Sequence, residues 1–270
     1  MSAEALVSNA IQEIEVYGYT KIPKHIKNCD DLLKILEENY VNEQGKNKQL
    51  HAERAGDKYV YNLQNKSIEF IRLISNEVIT SIIKHFLNDP FYQVMPTEEP
   101  NFILNYYNSR SSGGFLDLHI DCKVPATGKY TWVMQVAFVL EDMDELNGCT
   151  VVVPGSHKSG EYTDRSFQKR IPLTAKAGDV LIWDSRLWHG TRENISGKSR
   201  WVAIATVSQW WIKQNLDIPR MLPQEIYEKC TENEKVLLGF CSIPPITDEK
   251  TVIMKKDKSF LKDNVQDYFN

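Results

Sequence analysis

Thr131-Trp132-Val133-Met134-Gln135-Val136-Ala137-Phe138-Val139-Leu140 is a run of apolar, β-branched and aromatic residues, and residues 102–107, 149–153, 180–183 and 201–210 repeat its texture. Such runs suit a pleated, half-buried surface. Each is short and bounded by residues that turn a chain: Ser111-Ser112-Gly113-Gly114, Asn147-Gly148, Pro154-Gly155 and Ala177-Gly178-Asp179. No helical pattern lies between them, so parallel pairing through crossover helices is excluded. The strands must pair as an antiparallel sandwich or barrel. The predicted fold class is therefore mainly β with helical additions, its core spanning about 100–210.

Working outward, residues 1–95 read as helical. Ala5, Leu6, Ala10, Ile11, Ile14 and Tyr17 recur at helical spacing and Gly18 follows as a stop. Asp30 and Asp31 open a second pattern through Leu32, Leu33, Ile35 and Leu36, with the acids where the helix dipole favours them. Ile71, Ile74, Val78, Ile79, Ile82, Ile83 and Phe86 form one apolar stripe, which predicts a helix over about 66–88. Residues 42–58 are polar and contain two glycines, as a loop or flap would. Residues 211–270 form a mixed extension with Pro219, Pro223, Pro244 and Pro245 at turns, so residues 1–270 read as one domain.

Composition narrows the function classes. Among 270 residues, 32 Lys and Arg stand against 36 Asp and Glu, a net charge of −4. Phosphate binding needs a clustered positive field, which argues against nucleic acid as partner. No stretch approaches the roughly 20 apolar residues of a membrane helix, and the first residues lack the basic start and apolar run of a signal peptide. Cys29, Cys122, Cys149, Cys230 and Cys241 are odd in number and scattered, as in a reduced compartment. A cytoplasmic protein acting on a small molecule is the expectation. No heptad marks an oligomerisation helix.

Six histidines are present, and four have ordinary readings. His25 follows Pro23-Lys24, His51 lies in the polar stretch, His85 sits off its helix stripe, and His157 belongs to a turn. The other two differ. In Leu118-His119-Ile120-Asp121, strand alternation puts His119 and Asp121 on one face, where imidazole and carboxylate can grip one metal ion. His189 lies in Trp183-Asp184-Ser185-Arg186-Leu187-Trp188-His189-Gly190. Two histidines and one carboxylate are the ligand set of the facial triad of non-haem Fe(II) oxygenases, which leaves the opposite metal positions open. Arg200, at the start of the strand from Trp201, is costly to bury unless a carboxylate meets it. A bidentate guanidinium there suits the far end of a dicarboxylate.

Asn147-Gly148-Cys149-Thr150-Val151-Val152-Val153-Pro154-Gly155-Ser156-His157-Lys158 resembles the N-G…PGSH signature of the phytanoyl-CoA dioxygenase family. The order of motifs is similar as well: an H-x-D, the PGSH turn, His189 in its Trp…His-Gly setting, then Asn194 and Arg200. Gly18-Tyr19-Thr20-Lys21-Ile22-Pro23 is similar to the family's usual start. The resemblance covers about residues 10–210 and is densest from 117 to 205. It implies a double-stranded β-helix, or jelly roll, and an oxygenase using Fe(II), 2-oxoglutarate and O2. His119, Asp121 and His189 would hold iron and serve as the catalytic centre, and Arg200 would hold the distal carboxylate of 2-oxoglutarate. Gln135 and Thr150 sit where members place polar contacts to the co-substrate, a solvent-facing strand position being the alternative for Gln135. The PGSH turn reads as structural.

The implied reaction oxidises, by default hydroxylates, a C–H bond of a small metabolite or natural-product intermediate, releasing succinate and CO2. Relatives that halogenate carry a small residue in place of the carboxylate, so Asp121 argues against halogenation. Arg110, Lys123, Lys129 and Arg186 are candidates to meet an anionic group, although surface charge is the commoner fate. Residues 42–58 and 108–130 are expected to border the substrate pocket. Two other classes stay open: a cupin-type metalloenzyme without 2-oxoglutarate, against which Arg200 speaks, and a non-catalytic ligand-binding barrel, against which the intact triad speaks.

Overall fold

A computed structural model describes residues 2–44, 58–111, 113–164, 167 and 169–244. Helix α1 (Ala3–Tyr17) is capped by the Ser2 side chain and stops at Gly18, whose φ of 88° is left-handed. Strand β1 (Tyr19–Ile22) follows, then α2 (Cys29–Gln44) with Asp30 and Asp31 in its first turn. Residues 42–44 thus end a helix, and residues 45–57 of the polar stretch, with His51, lie outside the described residues. After β2 (Lys58–Val60), the helix expected over 66–88 is two helices, α3 (Ile68–Ile74) and α4 (Glu77–Leu87). Asn76 separates them. Its side chain accepts the Val78 N–H at 3.0 Å and caps α4, the role in which asparagine outcompetes its own helical conformation. The apolar stripe runs on across the break, burying Ile74, Ile79, Ile82 and Ile83 alike.

Eight strands complete the β-structure: β3 (Phe102–Ser111), β4 (Leu116–His119), β5 (Val133–Val139), β6 (Thr150–Val152), β7 (Ile171–Leu173), β8 (Val180–Asp184), β9 (His189–Thr191) and β10 (Trp201–Gln209). They form a six-stranded sheet, β1-β8-β5-β10-β3-β2, and a four-stranded sheet, β4-β9-β6-β7. Every pairing is antiparallel. The result is a jelly-roll core, as the sequence pattern and the resemblance imply. Short helices α5 (Ile218–Met221), α6 (Gln224–Tyr227) and α7 (Glu232–Leu237) follow β10.

Alternation sorts the side chains of the large sheet into two layers. Met134, Val136, Phe138, Ile182, Ala203, Ala205 and Val207 pack outward against Ile14, Leu36, Phe70, Ile79 and Ile83 of the helices. Ala137, Val139, Leu181, Trp183 and Val202 face the small sheet and meet Val152, Leu173, Met143 and Cys149. The helical additions therefore cover one face and leave the space between the sheets for the site.

Gly18 joins the helical layer to the sandwich. A Cβ there would lie 2.7 Å from His157 Nδ1 and 2.8 Å from Leu187 Cδ1, on a backbone whose φ already disfavours any side chain. Gly18→Ala is expected to cost about 3 kcal/mol from overpacking and backbone strain together. In urea unfolding the midpoint should fall with the slope unchanged; an unaltered midpoint would show that His157 and Leu187 yield freely.

Candidate active site

The register of β4 against β9 sets His119 directly opposite His189. Their ring centroids lie 4.3 Å apart. Each imidazole spends its Nδ1 on a carbonyl two residues earlier in its own chain: His119 on Asp117 O and His189 on Leu187 O, both at 2.9 Å. That bond keeps Nδ1 as the donor and turns Nε2 toward the cluster as the nitrogen that could serve as a ligand.

Asp121 arrives by a different route from the one strand alternation predicts. Strand β4 ends at His119, and Asp121 sits in a bend. Its backbone N–H and that of Cys122 both donate to Ser185 O, at 2.9 and 3.0 Å, which ties the bend to the segment leading to His189. The carboxylate lies 3.2 Å from His189 Nε2 and 3.6 Å from His119 Nε2. Ligand atoms from all three residues fall within 4.8 Å of one another, and they are the one such metal-competent group among the described residues. Burial alone would raise the Asp121 pKa, but the charges and hydrogen bonds of His189 and His119 hold it well below the ordinary carboxylate range. Burial opposes protonation of His189, and the neighbouring Asp121 charge overcomes it and raises the pKa. An ionised carboxylate and two Nε2 atoms turned on one point fit a divalent transition metal such as Fe(II), whose charge takes the place of the imidazole protons.

A row of side chains crosses the inner face of the large sheet beside this cluster. The registers place Trp183 beside Gln135, Gln135 beside Thr206 and Thr206 beside Tyr106. Thr206 Oγ1 donates to Gln135 Oε1 at 2.5 Å. Gln135 is therefore buried between the sheets, not solvent-facing, and its Nε2 and the Trp183 Nε1 are buried donors without a hydrogen-bond partner. The Trp183 ring lies 5.3 Å from that of His189. Burial raises the Tyr106 pKa, and the Asp121 charge adds to it. Tyr106 escapes sequence reasoning as a site residue, and Trp183 reads there first as core, because each looks like an ordinary strand residue; what sets them beside Gln135 is the register between strands, which no local pattern gives.

Thr150 opposes Thr191, two positions along β6 from the Val152 that opposes His189, and so shares the inner face. Arg200 is buried between the sheets. Its backbone N–H donates to Ser111 Oγ at 2.9 Å, and its Nη1 lies 3.4 Å from Met143 Sδ. The PGSH turn braces the histidine strand: Ser156 Oγ accepts the Trp188 N–H at 2.9 Å, and the Val153 N–H donates to Trp188 O at 2.9 Å. His157 is buried against Gly18, apart from the ligand cluster, and burial lowers its pKa. His25 meets Asn76 and His85 meets Glu15 on the surface. Arg186, a candidate for an anionic substrate, is instead buried in an ion pair with Asp184 at 2.7 Å.

Two histidines and a carboxylate converging in a jelly roll from β4, the bend after it and β9 are the ligand set of a facial-triad metal centre, and these three residues could hold one ion. The chain belongs to the phytanoyl-CoA dioxygenase family, whose profile matches residues 14–202. An uncharacterized protein of Mycobacterium tuberculosis is 30% identical over 115 residues, 42% of this chain and 42% of that protein. Dioxygenase af480 of Aspergillus fumigatus is 29% identical over 149 residues, 53% of this chain and 48% of its own length. The chain thus spans about half the length of these curated relatives or less. HygX from Streptomyces hygroscopicus, crystallised with nickel, 2-oxoglutarate and hygromycin B bound, superposes with a TM-score of 0.60 at 15% identity, covering 76% of this chain and 88% of that one. At that identity the likeness is one of fold.

Proposed function

We propose that the chain is an Fe(II)- and 2-oxoglutarate-dependent oxygenase that hydroxylates a C–H bond of a small metabolite or natural-product intermediate, releasing succinate and CO2. The observation that carries this reading is the convergence of His119, Asp121 and His189 within 4.8 Å, each imidazole with its Nδ1 on a backbone carbonyl. Family membership and the nickel, 2-oxoglutarate and organic ligand bound by the fold neighbour HygX support it. We read the enzyme as cytoplasmic and acting on a small molecule, with neither nucleic acid nor membrane as partner; the net charge of −4 supports the exclusion of nucleic acid. We read residues 1–270 as one catalytic domain.

Each side chain then has a task. His119, Asp121 and His189 would hold iron by one face and leave the other face to co-substrate and dioxygen. When bound, the iron supplies the activation of dioxygen coupled to oxidative decarboxylation of 2-oxoglutarate. Arg200 would fix the distal carboxylate of 2-oxoglutarate with a guanidinium already desolvated between the sheets, where a charge-assisted pair gains most. Gln135 Nε2 and Trp183 Nε1 would donate to oxygens of the co-substrate, which would satisfy two donors that are buried without partners. Thr150 lies on the same inner face and completes the polar lining. The aromatic and aliphatic walls around them exclude water from the reacting centre.

Anaerobic titration with Fe(II) and then 2-oxoglutarate tests this. A weak visible charge-transfer band is expected in the wild type, and Arg200→Ala should need about a hundredfold more 2-oxoglutarate to reach it, in line with loss of a buried charge-assisted contact. Bound iron without the band would sink the 2-oxoglutarate assignment in favour of a cupin-type metalloenzyme.

A further inference from the structure

Arg186 lies against the end of the segment that begins at Asp121, though 55 residues separate it from Thr131 in sequence. Its guanidinium is buried and bonded through all three nitrogens. Nε donates to Asp184 Oδ1 at 3.0 Å, and Nη2 to Asp184 Oδ2 at 2.7 Å and Thr131 Oγ1 at 3.1 Å. Nη1 reaches two backbone carbonyls, Ala126 O at 3.3 Å and Gly128 O at 3.1 Å. Thr131 Oγ1 in turn donates to Asp184 Oδ2 at 2.7 Å. Between these two residues, Ser185 O receives the N–H groups of Asp121 and Cys122. Three consecutive residues, Asp184, Ser185 and Arg186, therefore grip the 121–131 segment at its start, middle and end. Gly160 approaches the same segment closely: a Cβ added there would lie 2.6 Å from Thr127 Cγ2.

We infer that Arg186 is a positioning residue for the metal site, a latch that holds the segment from Asp121 to Thr131 in place and so fixes where the Asp121 carboxylate points. The inference deepens the metal-centre reading above and rests on it. The sequence needs this latch because Asp121 lies beyond the end of β4, where no ladder hydrogen bond orders it. Its backbone is held by the link to Ser185 and by the clamp on the loop behind it, while its carboxylate meets the two imidazoles. An arginine suits the task because its planar fork can serve a carboxylate on one edge and carbonyls on the other. The pair with Asp184 also explains how a cation can be buried here and oriented away from solvent: the carboxylate compensates it and is itself held by Thr131 and by the Arg186 N–H at 2.9 Å. Lysine would keep the charge but not reach Asp184, Thr131, Ala126 and Gly128 together.

The test compares wild type, Arg186→Lys and Thr131→Val as full chains, each with Asp121 intact and with Asp121→Ala, using amide hydrogen exchange and calorimetric titration with Ni(II) alone. Nickel is chosen because the two imidazoles still bind it when the carboxylate is gone. In Arg186→Lys the amides of 122–131 should exchange at least about tenfold faster while those of β3, β5 and β10 keep their wild-type rates. Ni(II) affinity should fall about ten- to hundredfold, as for loss of a ligand's supporting partner. In the Asp121→Ala background that fall should vanish, since the latch acts through Asp121. Thr131→Val should give smaller changes in the same direction. Unchanged exchange over 122–131 would overturn the latch, and so would an equal loss of Ni(II) affinity in both backgrounds, which marks a merely structural role. A wild-type chain that binds no Ni(II) would instead remove the metal-centre reading, and the exchange rates alone would then decide whether Arg186 holds the loop.

Discussion

Gly190→Ala is expected to abolish metal binding at the proposed site. Gly190 lies in β9 beside the proposed ligand His189, and a Cβ there would sit 2.5 Å from Leu116 O and 3.1 Å from Asp117 O. Both obstacles are backbone atoms of β4, so no side chain can rotate aside. The strand itself must move. It is short and joined to β9 through only the Leu116–Thr191 and His119–His189 pairs, with an irregularity between them, so it has little to hold it in register. His119 moves with it, and so does Asp117 O, the acceptor that orients the His119 ring. A ligand displaced by even 1 Å no longer meets the geometry a metal requires. We expect Ni(II) affinity to fall by about a hundredfold or more, beyond the range seen for loss of a supporting contact, together with about 2 kcal/mol of stability from the overpacking. Gly114→Ala is the control: its Cβ meets nothing within 4 Å, and both quantities should stay at wild-type values. Wild-type affinity in Gly190→Ala would mean that β4 slides without carrying His119 off the site.

The second large effect separates the two buried histidines. His189→Ala should reduce Ni(II) affinity by more than about a hundredfold, since it removes a ligand outright where loss of a mere supporting partner costs ten- to hundredfold. It also removes the foremost charge that holds the Asp121 pKa down, so the carboxyl becomes easier to protonate just where it is needed ionised. His157→Asn should do the opposite. His157 is buried beside Gly18 and is not a member of the ligand cluster, so its loss should lower the urea midpoint and spare the metal affinity. Titration calorimetry and urea unfolding on both variants decide it. Equal losses of affinity would make the PGSH histidine part of the metal centre and sink its structural reading.

The jelly roll was legible because its long strands, β3, β5, β8 and β10, carry enough consecutive β-branched and aromatic residues to stand out between turn clusters. Strands β1, β2, β7 and β9 were not, because three or four residues give no periodicity to read. They exist as strands only through partners distant in sequence, such as Tyr19 opposite Trp183. The division of the helix at Asn76 was hidden by an apolar stripe that continues across it, even though the cap residue was in plain view. Spacing and the order of motifs single out His119, Asp121, His189 and Arg200; the first three do converge in space, and Arg200 is buried. Arg186 was misjudged as a candidate for an anionic substrate. Its charge satisfies Asp184 and the carbonyls of a loop some 60 residues away, contacts no local pattern encodes.

In both imidazoles, the nitrogen that could serve as a ligand is chosen by a peptide oxygen. The acceptors belong to Asp117 and Leu187, yet neither side chain takes part. Every amino acid carries the same carbonyl, so mutation at position 117, whose side chain is exposed, leaves the choice untouched, and position 187 answers to packing alone. The coordination chemistry is thereby insulated from drift in the residues that direct it. A lineage can rewrite the neighbourhood of its ligands while their protonation pattern is inherited through the chain path.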